Sequence, residues 1–177
     1  MTSVKGHWYV TPGYTDDAGY CITAVGLGEM QVALAKCQNW DIDTCMYATN
    51  TISCGTVRGF GGQELKSAMM PVINHMLADA NIDPVQFFHD NFVCAGDRYM
   101  WRDCNWWTCH EVDYRDAILS AAEAFGRKDK FKGWYKPTSV TGSKRIGVGV
   151  PIHGKGDVGE DNSEAIVRLH TNGSVIL

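Results

Sequence analysis

Residues 49–63 read TNTISCGTVRGFGGQ, and the chain takes on a helical pattern directly after them. Within this stretch Gly59, Gly61 and Gly62 surround a single phenylalanine, Phe60, and follow Arg58. Glycine loses more backbone freedom on folding than any other residue, so a cluster of glycines is costly to order. The cluster therefore indicates either a turn with positive φ or a backbone that lies close to a ligand or to another chain.

The residues after the loop predict two consecutive helices. From Gln63 onward, apolar residues recur on one helical face: Leu65, Ala68, Met69, Val72, Ile73, Met76 and Leu77. Pro71 lies inside this run and removes one backbone hydrogen bond, which predicts a kink. A second, short helix should follow, because Asp83 is suited to cap it and Pro84 suits its first position. The apolar side of this short helix would be formed by Val85, Phe88 and Phe92.

The segments before the loop are predicted to be mainly extended. Residues 7–10 favour a short strand, which the Thr-Pro-Gly sequence at 11–13 should end. Residues 29–36 favour a helix of about two turns. Residues 42–51 carry little charge and indicate another extended segment.

The middle of the chain combines an aromatic segment with a third helix. Residues 96–110 are rich in Trp and Tyr without a clear period, which suits a substrate wall, a subunit interface or ordinary core packing. Asp113 is suited to cap the third helix, and Gly126 to end it. Its inward face would carry Ala117, Ile118, Ala121 and Phe125. Residues 127–130 then favour a solvated turn.

The last third has the pattern of strands. Residues 144–152 alternate glycine with β-branched residues, which suits a strand whose backbone lies close to another part of the molecule. Residues 164–170 and 174–177 flank the Thr-Asn-Gly sequence at 171–173, which is typical of a hairpin. Since the sequence stops within the second of these strands, we expect the domain to be incomplete on its own.

Composition narrows the class of protein. The 177 residues are 45% hydrophobic and 20% charged, which is typical of a globular protein. The net charge of −4 and the absence of a basic block argue against a nucleic-acid partner. No apolar stretch is long enough for a membrane span, and residues 1–15 do not resemble a secretory signal. We therefore expect a cytoplasmic protein.

The seven cysteines include no CxxC pair. The closest pair, Cys104 and Cys109, is followed by His110, which leaves a metal site open as an alternative. A structural zinc site usually needs a fourth ligand at matching spacing. Free thiols that act as small apolar residues in a reducing cytoplasm are the preferred interpretation.

Three explanations compete for the RGFGGQ loop at 58–63. A phosphate loop would need GxGxxG or GxxxxGK[ST], and the spacing here matches neither. A purely structural turn is the second explanation. The third is a backbone that approaches a bulky anionic cofactor at the start of a helix, where free N–H groups favour negative charge.

The combination TNTISCGTVRGFGGQE (49–64) and NIDPVQFFHDN (81–91) resembles the molybdopterin-binding subunit of the xanthine dehydrogenase and aldehyde oxidase family. In that family a Thr-Asn pair leads into an Arg-Gly-Phe-Gly loop, and the next helix ends in a turn with Asp-Pro and a later Asn. The matching residues are Thr49, Asn50, Arg58 to Gly61, Asp83, Pro84 and Asn91. Residues 144–150 and SEAIVRLHTNGSV (163–175) resemble the entry to the family's second cofactor domain.

The resemblance implies an α+β fold, part of a molybdenum-cofactor-binding domain with a mixed sheet and packed helices. Residues 1–143 would belong to the first cofactor-binding domain, and 144–177 would begin the second. The cofactor would be held by Arg58, Gly59, Phe60, Gly61, Gly62 and Gln63, with the main-chain amide of Arg58 facing the molybdenum. Phe60 would form an aromatic wall of the substrate pocket. His153 lies where the family places a second wall, often an aromatic residue.

The same resemblance implies that other chains complete the enzyme. The family's catalytic base is a glutamate in a Gly-Glu-Pro-like context, and neither Gly28-Glu29 nor Gly159-Glu160 has that context. No catalytic residue is therefore assigned to this chain. Iron–sulfur clusters and FAD would lie on partner chains, which would also supply the rest of the molybdenum subunit. A non-catalytic scaffold subunit is the alternative, as is a relative that runs reduction or hydration of its small-molecule substrate.

Overall fold

The computed structural model describes residues 1–16, 18–102, 105–111, 113–152 and 168–176. Its helices are α1 (Gly19–Ala33), α2 (Gly62–Asp79), α3 (Pro84–Asn91), α4 (Tyr114–Ala124) and α5 (Arg127–Lys130). Its strands are β1 (Ser3–Gly13), β2 (Asn39–Ala48), β3 (Arg98–Trp101), β4 (Asn105–Thr108), β5 (Ser139–Thr141), β6 (Lys144–Ile146), β7 (Arg168–Leu169) and β8 (Val175–Ile176).

The described strands form four two-stranded sheets, so the fold is α+β as predicted. β1 and β2 are parallel and are joined through α1, whereas the other three sheets are antiparallel hairpins. The parallel and antiparallel pairing that was expected within one mixed sheet thus occurs in separate pairs of strands. The division of the chain at residue 143 stays a prediction.

The first strand is longer than the sequence indicated. β1 pairs with β2 in one register from Ser3 to Val10, and the register shifts before Gly13 pairs with Ala48. The prediction that 11–13 ends the strand was wrong, because β1 continues to Gly13. Proline lacks a backbone N–H but keeps its carbonyl oxygen, and Pro12 O accepts a hydrogen bond from the backbone N–H of Cys54 at 2.7 Å. This continuation brings the end of β1 next to the segment that leads into the glycine loop.

Helix α1 was predicted too short and too late. It begins at Gly19, whose N–H donates to the Asp16 carboxylate at 2.8 Å. The helical period is hidden in the sequence because glycines are frequent and because two polar residues, Glu29 and Gln31, lie on the buried side. The helix has almost no distinct polar face, which is typical of a helix that is covered on more than one side.

The hydrophobic core lies between α1, α2 and α3. It contains Met30, Leu34, Cys37, Ile73, Leu77 and Phe88. The predicted start of α3 is confirmed: the Asp83 carboxylate accepts from the backbone N–H of Val85 at 2.8 Å, and Pro84 occupies the first position. The predicted inward face of α2 is only partly buried, because Val72 and Met76 are 59% and 54% exposed.

Residues 96–110 contain a hairpin rather than an irregular loop. β3 and β4 pair antiparallel, with Tyr99 opposite Trp107. Trp101 is buried and packs against α1 so closely that a side chain at Gly28 would lie 2.9 Å from its ring. Trp106 and Trp107 are exposed. The aromatic segment therefore contributes to the core at one end and to the surface at the other.

The C-terminal third is less regular than predicted. Asp113 caps α4 and Gly126 ends it with φ 67°, as expected. The predicted inward face of α4 is confirmed only in part. Ile118 packs against the core, whereas Ala117, Ala121 and Phe125 are exposed. Residues 127–130 form the short helix α5. Of the strand predicted at 144–152, only Lys144–Ile146 pairs, with β5.

The hairpin predicted around 171–173 is confirmed by the pairing of β7 with β8. In the part of the chain that the structure describes, no helix has the length and apolar character needed to cross a bilayer.

Candidate functional site

The RGFGG loop is a pair of tight turns that leads directly into α2. The backbone N–H of Phe60 donates to Val57 O at 2.9 Å, and that of Gly62 donates to Gly59 O at 3.0 Å. Three consecutive residues have positive φ: Gly59 at 106°, Phe60 at 45° and Gly61 at 93°. This conformation is accessible to glycine but costs a phenylalanine roughly 1–3 kcal/mol. Strained residues of this kind often lie at ligand sites.

Gln63 fixes the start of the loop. Its side-chain Nε2 donates to the carbonyl oxygen of Arg58 at 2.6 Å. The same side chain occupies the space beside Gly59, where an added Cβ would lie 1.7 Å from Gln63 Oε1. The bond orients the peptide that follows Arg58, whose side chain is exposed.

Gly61 and Gly62 allow α2 to start against α1. A Cβ on Gly61 would lie 1.9 Å from the carbonyl oxygen of Ile22, and one on Gly26 would lie 2.5 Å from the carbonyl oxygen of Gly61. A Cβ on Gly62 would lie 1.8 Å from the carboxylate of Glu29. The close backbone approach that the sequence indicated therefore exists within the chain, and it accounts for these glycines without a ligand.

A buried ion pair lies under the loop. Lys66 Nζ donates to Glu29 Oε2 at 2.7 Å, and the two side chains are 7% and 0% exposed. Burial lowers the pKa of Lys66 below its ordinary value, although the hydrogen bond and the charge of Glu29 act in the opposite direction. The second oxygen, Glu29 Oε1, is buried and accepts no hydrogen bond from the described residues. The pair connects α1 to the first turns of α2 beside Gly62.

Sequence reasoning missed this pair as a structural element of the site. The sequence analysis noted Glu29 in a Gly-Glu pair and at the start of the short helix predicted at 29–36, and it did not single out Lys66. A signal was present, since Glu29 lies among apolar residues in GLGEMQVAL (26–34). Its partner, 37 positions away, could not be identified without the fold.

A cleft of about 840 Å³ opens next to the loop, between β1 and α2. Its wall is largely apolar and includes Phe60 and Gly61 from the loop, Leu65 and Met69 from α2 and Trp8 from β1. Phe60 is half-buried at this wall. A cleft of this size can hold most of a small organic ligand.

The structure brings the predicted loop residues together, whereas other predicted residues have folding roles or lie elsewhere. Arg58 and Gln63 are exposed, Gly59, Gly61 and Gly62 are buried, and Phe60 is intermediate. Thr49 donates its backbone N–H to Gly13 O at 2.9 Å, and Asp83 and Asn91 stabilise α3. His153 and the Gly159-Glu160 pair lie outside the described residues.

The alternative metal site at Cys104, Cys109 and His110 lies partly outside the described residues. In the described part of the chain, no three His, Cys, Asp or Glu residues are arranged to hold a metal ion. Cys109 and His110 are described, whereas Cys104 lies outside the described residues.

Comparison with known families identifies the domain. A family model described as the molybdopterin cofactor-binding domain matches residues 1–92, from before β1 through the end of α3. The match contains the whole RGFGGQ loop, the buried ion pair beneath it and the helix that the loop starts. No curated protein matches the chain. Because the match covers more than half of the 177 residues, the chain belongs to the molybdopterin cofactor-binding domain family.

Proposed function

We propose that this chain is a subunit of a molybdenum hydroxylase-type oxidoreductase and that the loop at 58–63 holds part of its molybdopterin cofactor. The family match over residues 1–92 carries this proposal, because it contains that loop. When bound, the molybdenum cofactor supplies the oxidation–reduction chemistry. The protein contributes binding, orientation and exclusion of water.

The donors of the loop suit an anionic, hydrogen-bonding group. Arg58 presents an exposed guanidinium, which is the preferred side chain for planar or phosphate-bearing anions. The start of the 18-residue helix α2 adds a partial positive charge. Glu64, in the first turn, and the buried Glu29 offset part of that charge. Arg58 would therefore make the main electrostatic contact with the cofactor, and the Arg58 peptide would be held in place by Gln63.

Phe60 would serve the substrate rather than the cofactor. Its ring lies at the wall of the apolar cleft, and its backbone is held in the left-handed region by turns on either side. An aromatic ring held in this way can stack against a planar substrate. An aromatic, heteroaromatic or carbonyl compound is the substrate class that this wall favours.

The chain would act within a complex. We propose that partner chains supply the catalytic base, the remaining cofactor contacts, the iron–sulfur clusters and the FAD. We propose a cytoplasmic location for the complex, because the six described cysteines are free thiols, which persist in a reducing compartment. Hydroxylation, reduction and hydration are all compatible with the residues of this chain, because we assign the catalytic base to a partner chain.

A non-catalytic scaffold of the same fold is the second candidate, and one observation favours it. Gly61 and Gly62 are required by packing against α1, so the loop could persist without a cofactor.

Analysis of the assembly purified from its native host separates the two candidates. Molybdenum near one atom per chain, with pterin released on denaturation, is expected for the enzyme. The absence of both molybdenum and pterin from assemblies purified from molybdate-supplemented cells would support the scaffold.

A substitution at Arg58 tests the role of the loop itself. Arg58→Ala should lower the retained molybdenum without changing the thermal midpoint, because the side chain is exposed and contributes little to packing. Arg145→Ala is the matched control, since Arg145 is an exposed arginine of β6 outside the matched residues 1–92. Equal molybdenum in Arg58→Ala and the wild type would contradict a role of the Arg58 guanidinium in holding the cofactor, although the main-chain amide is kept in this variant.

A further inference from the structure

The outer edge of β1 has no neighbouring strand in the part of the chain that the structure describes. β1 and β2 form a two-stranded parallel sheet, in which β1 is paired on one side. The register runs without a bulge from Ser3 to Val10, which is longer than most strands. The backbone of 3–10 makes no hydrogen bond to any other described element. About half of its N–H and C=O groups therefore face outward without a partner, because they alternate between the two sides of a strand.

The large cleft beside the glycine loop follows this open edge. Every residue of 3–11 lines the cleft, both the half-buried residues and the exposed residues that alternate with them. From β2, which the structure describes in full, only Ile42 lines it. A cleft over the face of the sheet would be lined by both strands. This one therefore runs beside the backbone of β1, on the side away from β2.

The opposite wall of the cleft is the apolar face of α2. Val72 and Met76 belong to this wall and are 59% and 54% exposed. A contiguous apolar surface of this kind typically marks an interaction site. A free backbone edge opposite an apolar face suits an extended segment, because it can pair with β1 and direct every second side chain against α2. A helix or a small molecule would leave the backbone groups of β1 unpaired.

The two ends of the cleft differ, so a strand at one end leaves the other end open for the use proposed for Phe60. The C-terminal end of β1 lies next to the segment that enters the loop, since Pro12 O accepts from the backbone N–H of Cys54 at 2.7 Å. Near the N-terminal end, Val4 packs against the core cluster that contains Ile73, in the second half of α2. The exposed apolar face of α2 belongs to this second end.

We propose that β1 pairs along its outer edge with a β-strand of a partner chain, in which apolar residues alternate with acidic ones. The apolar residues would cover the exposed face of α2. The acidic residues would lie next to Lys5 and His7, whereas Asp41 and Asp43 lie on the far strand. Lys5 is 71% exposed and its ammonium has three donors, so it can contact a second carboxylate besides that of Asp41. This inference rests on the proposed complex, but it does not require the cofactor.

The test is residue-resolved hydrogen–deuterium exchange of the assembly purified from its native host. If a strand pairs with the outer edge, all backbone amides of 4–10 should exchange slowly. Without that strand, every second amide should exchange faster than its neighbours, by on the order of 100-fold or more. The amides that face β2 are bonded in either case and serve as the internal reference. An occupant that covers α2 without pairing would leave the alternate amides fast, which overturns the proposal.

A substitution on the opposite wall assigns the contact to this cleft. Val72→Glu places a charge against the added strand, so the assembly should lose the partner chain. Val140→Glu is the matched control, since Val140 is 54% exposed in β5 and does not line the cleft. Retention of the partner chain in Val72→Glu at the level of the wild type would overturn the proposal.

A cross-link identifies the partner segment. Benzoylphenylalanine introduced at position 72 should cross-link to a partner segment with alternating apolar and acidic residues. A basic segment, or a second copy of this chain, would overturn the proposal. Molybdenum is measured on the same preparations: its absence, with β1 fully protected, would count against the cofactor and leave the strand pairing supported.

Discussion

The buried pair of Glu29 and Lys66 allows a quantitative test of how the loop is supported. Lys66→Met keeps a long, flexible side chain but removes the charge that faces the Glu29 carboxylate at 2.7 Å. Glu29 is 0% exposed, and the start of α2 leaves it no room to move past Gly62. The substitution therefore leaves a buried carboxylate without its cation, which is far more costly than the pair itself was worth.

The expected loss of unfolding free energy is about 3–5 kcal/mol, the usual range when one partner of a buried pair is removed. For a chain of this size each kcal/mol corresponds to roughly 2–4 °C, so the thermal midpoint should fall by roughly 6–20 °C. Differential scanning calorimetry or thermal circular dichroism of the purified assembly measures this shift. The double variant Glu29→Gln/Lys66→Met removes both charges and keeps the shape of residue 29, so it should recover most of the lost midpoint.

The exposed pair of Lys5 and Asp41 is the matched control. Its N–O distance is 2.6 Å, similar to that of the buried pair, but the two side chains are 71% and 68% exposed. Lys5→Met should leave the midpoint almost unchanged, because solvent screens exposed charges. If Lys66→Met shifts the midpoint no more than Lys5→Met does, or if the double variant is as unstable as the single one, the uncompensated Glu29 charge is not the cause of the destabilisation.

Three further predictions concern the loop and its support. Burial depresses the pKa of Lys66, so the unfolded chain holds the Lys66 proton to higher pH than the folded chain does. The contribution of Lys66 to stability should therefore rise as the pH increases from the folded pKa toward 10.5. Urea unfolding should show this increase in the wild type relative to Lys66→Met. Gly59→Ala should displace the Gln63 side chain and its bond to Arg58, lowering retained molybdenum, whereas Gly55→Ala, where nothing lies within 4 Å, should not; equal metal content in both variants would argue against a cofactor role. Phe60→Ala should keep molybdenum and the thermal midpoint but lower kcat/KM for a planar substrate, by up to on the order of 100-fold if positioning is lost; a core role would instead lower the midpoint, with normal turnover per molybdenum.

Much of the local structure was predictable because its causes lie close together in the sequence. Asp83 and Pro84 define the start of α3 through the backbone N–H groups that directly follow them. Gly126 ends α4 because it adopts positive φ, and Gly173 also adopts positive φ, in the turn between β7 and β8. The combination of TNTISCGTVRGFGGQE (49–64) with NIDPVQFFHDN (81–91) resembles the cofactor-domain family, and the match over residues 1–92 confirms that resemblance.

The errors occurred where the cause lies far away in the chain. Helix α1 was predicted too short because Glu29 and Gln31 interrupt its pattern of apolar residues. The burial of these two side chains depends on elements more than thirty residues downstream. Val72 and Met76 have the spacing of core residues but line an open cleft, since no described element covers them. Periodicity reports which face of a helix is apolar and does not report whether another element packs there.

The sequence by itself determined that residues 58–62 form a glycine-rich turn at the start of a helix, because positive φ is a local property of the backbone. Only the tertiary structure decided what each glycine is for: Gly59 accommodates Gln63, and Gly61 and Gly62 accommodate α1. The tertiary structure also decided that Glu29 and Lys66 meet beneath the loop. Their contact depends on the packing of two helices that start 43 residues apart in the sequence, at 19 and 62. No local sequence pattern shows that two such distant segments pack together.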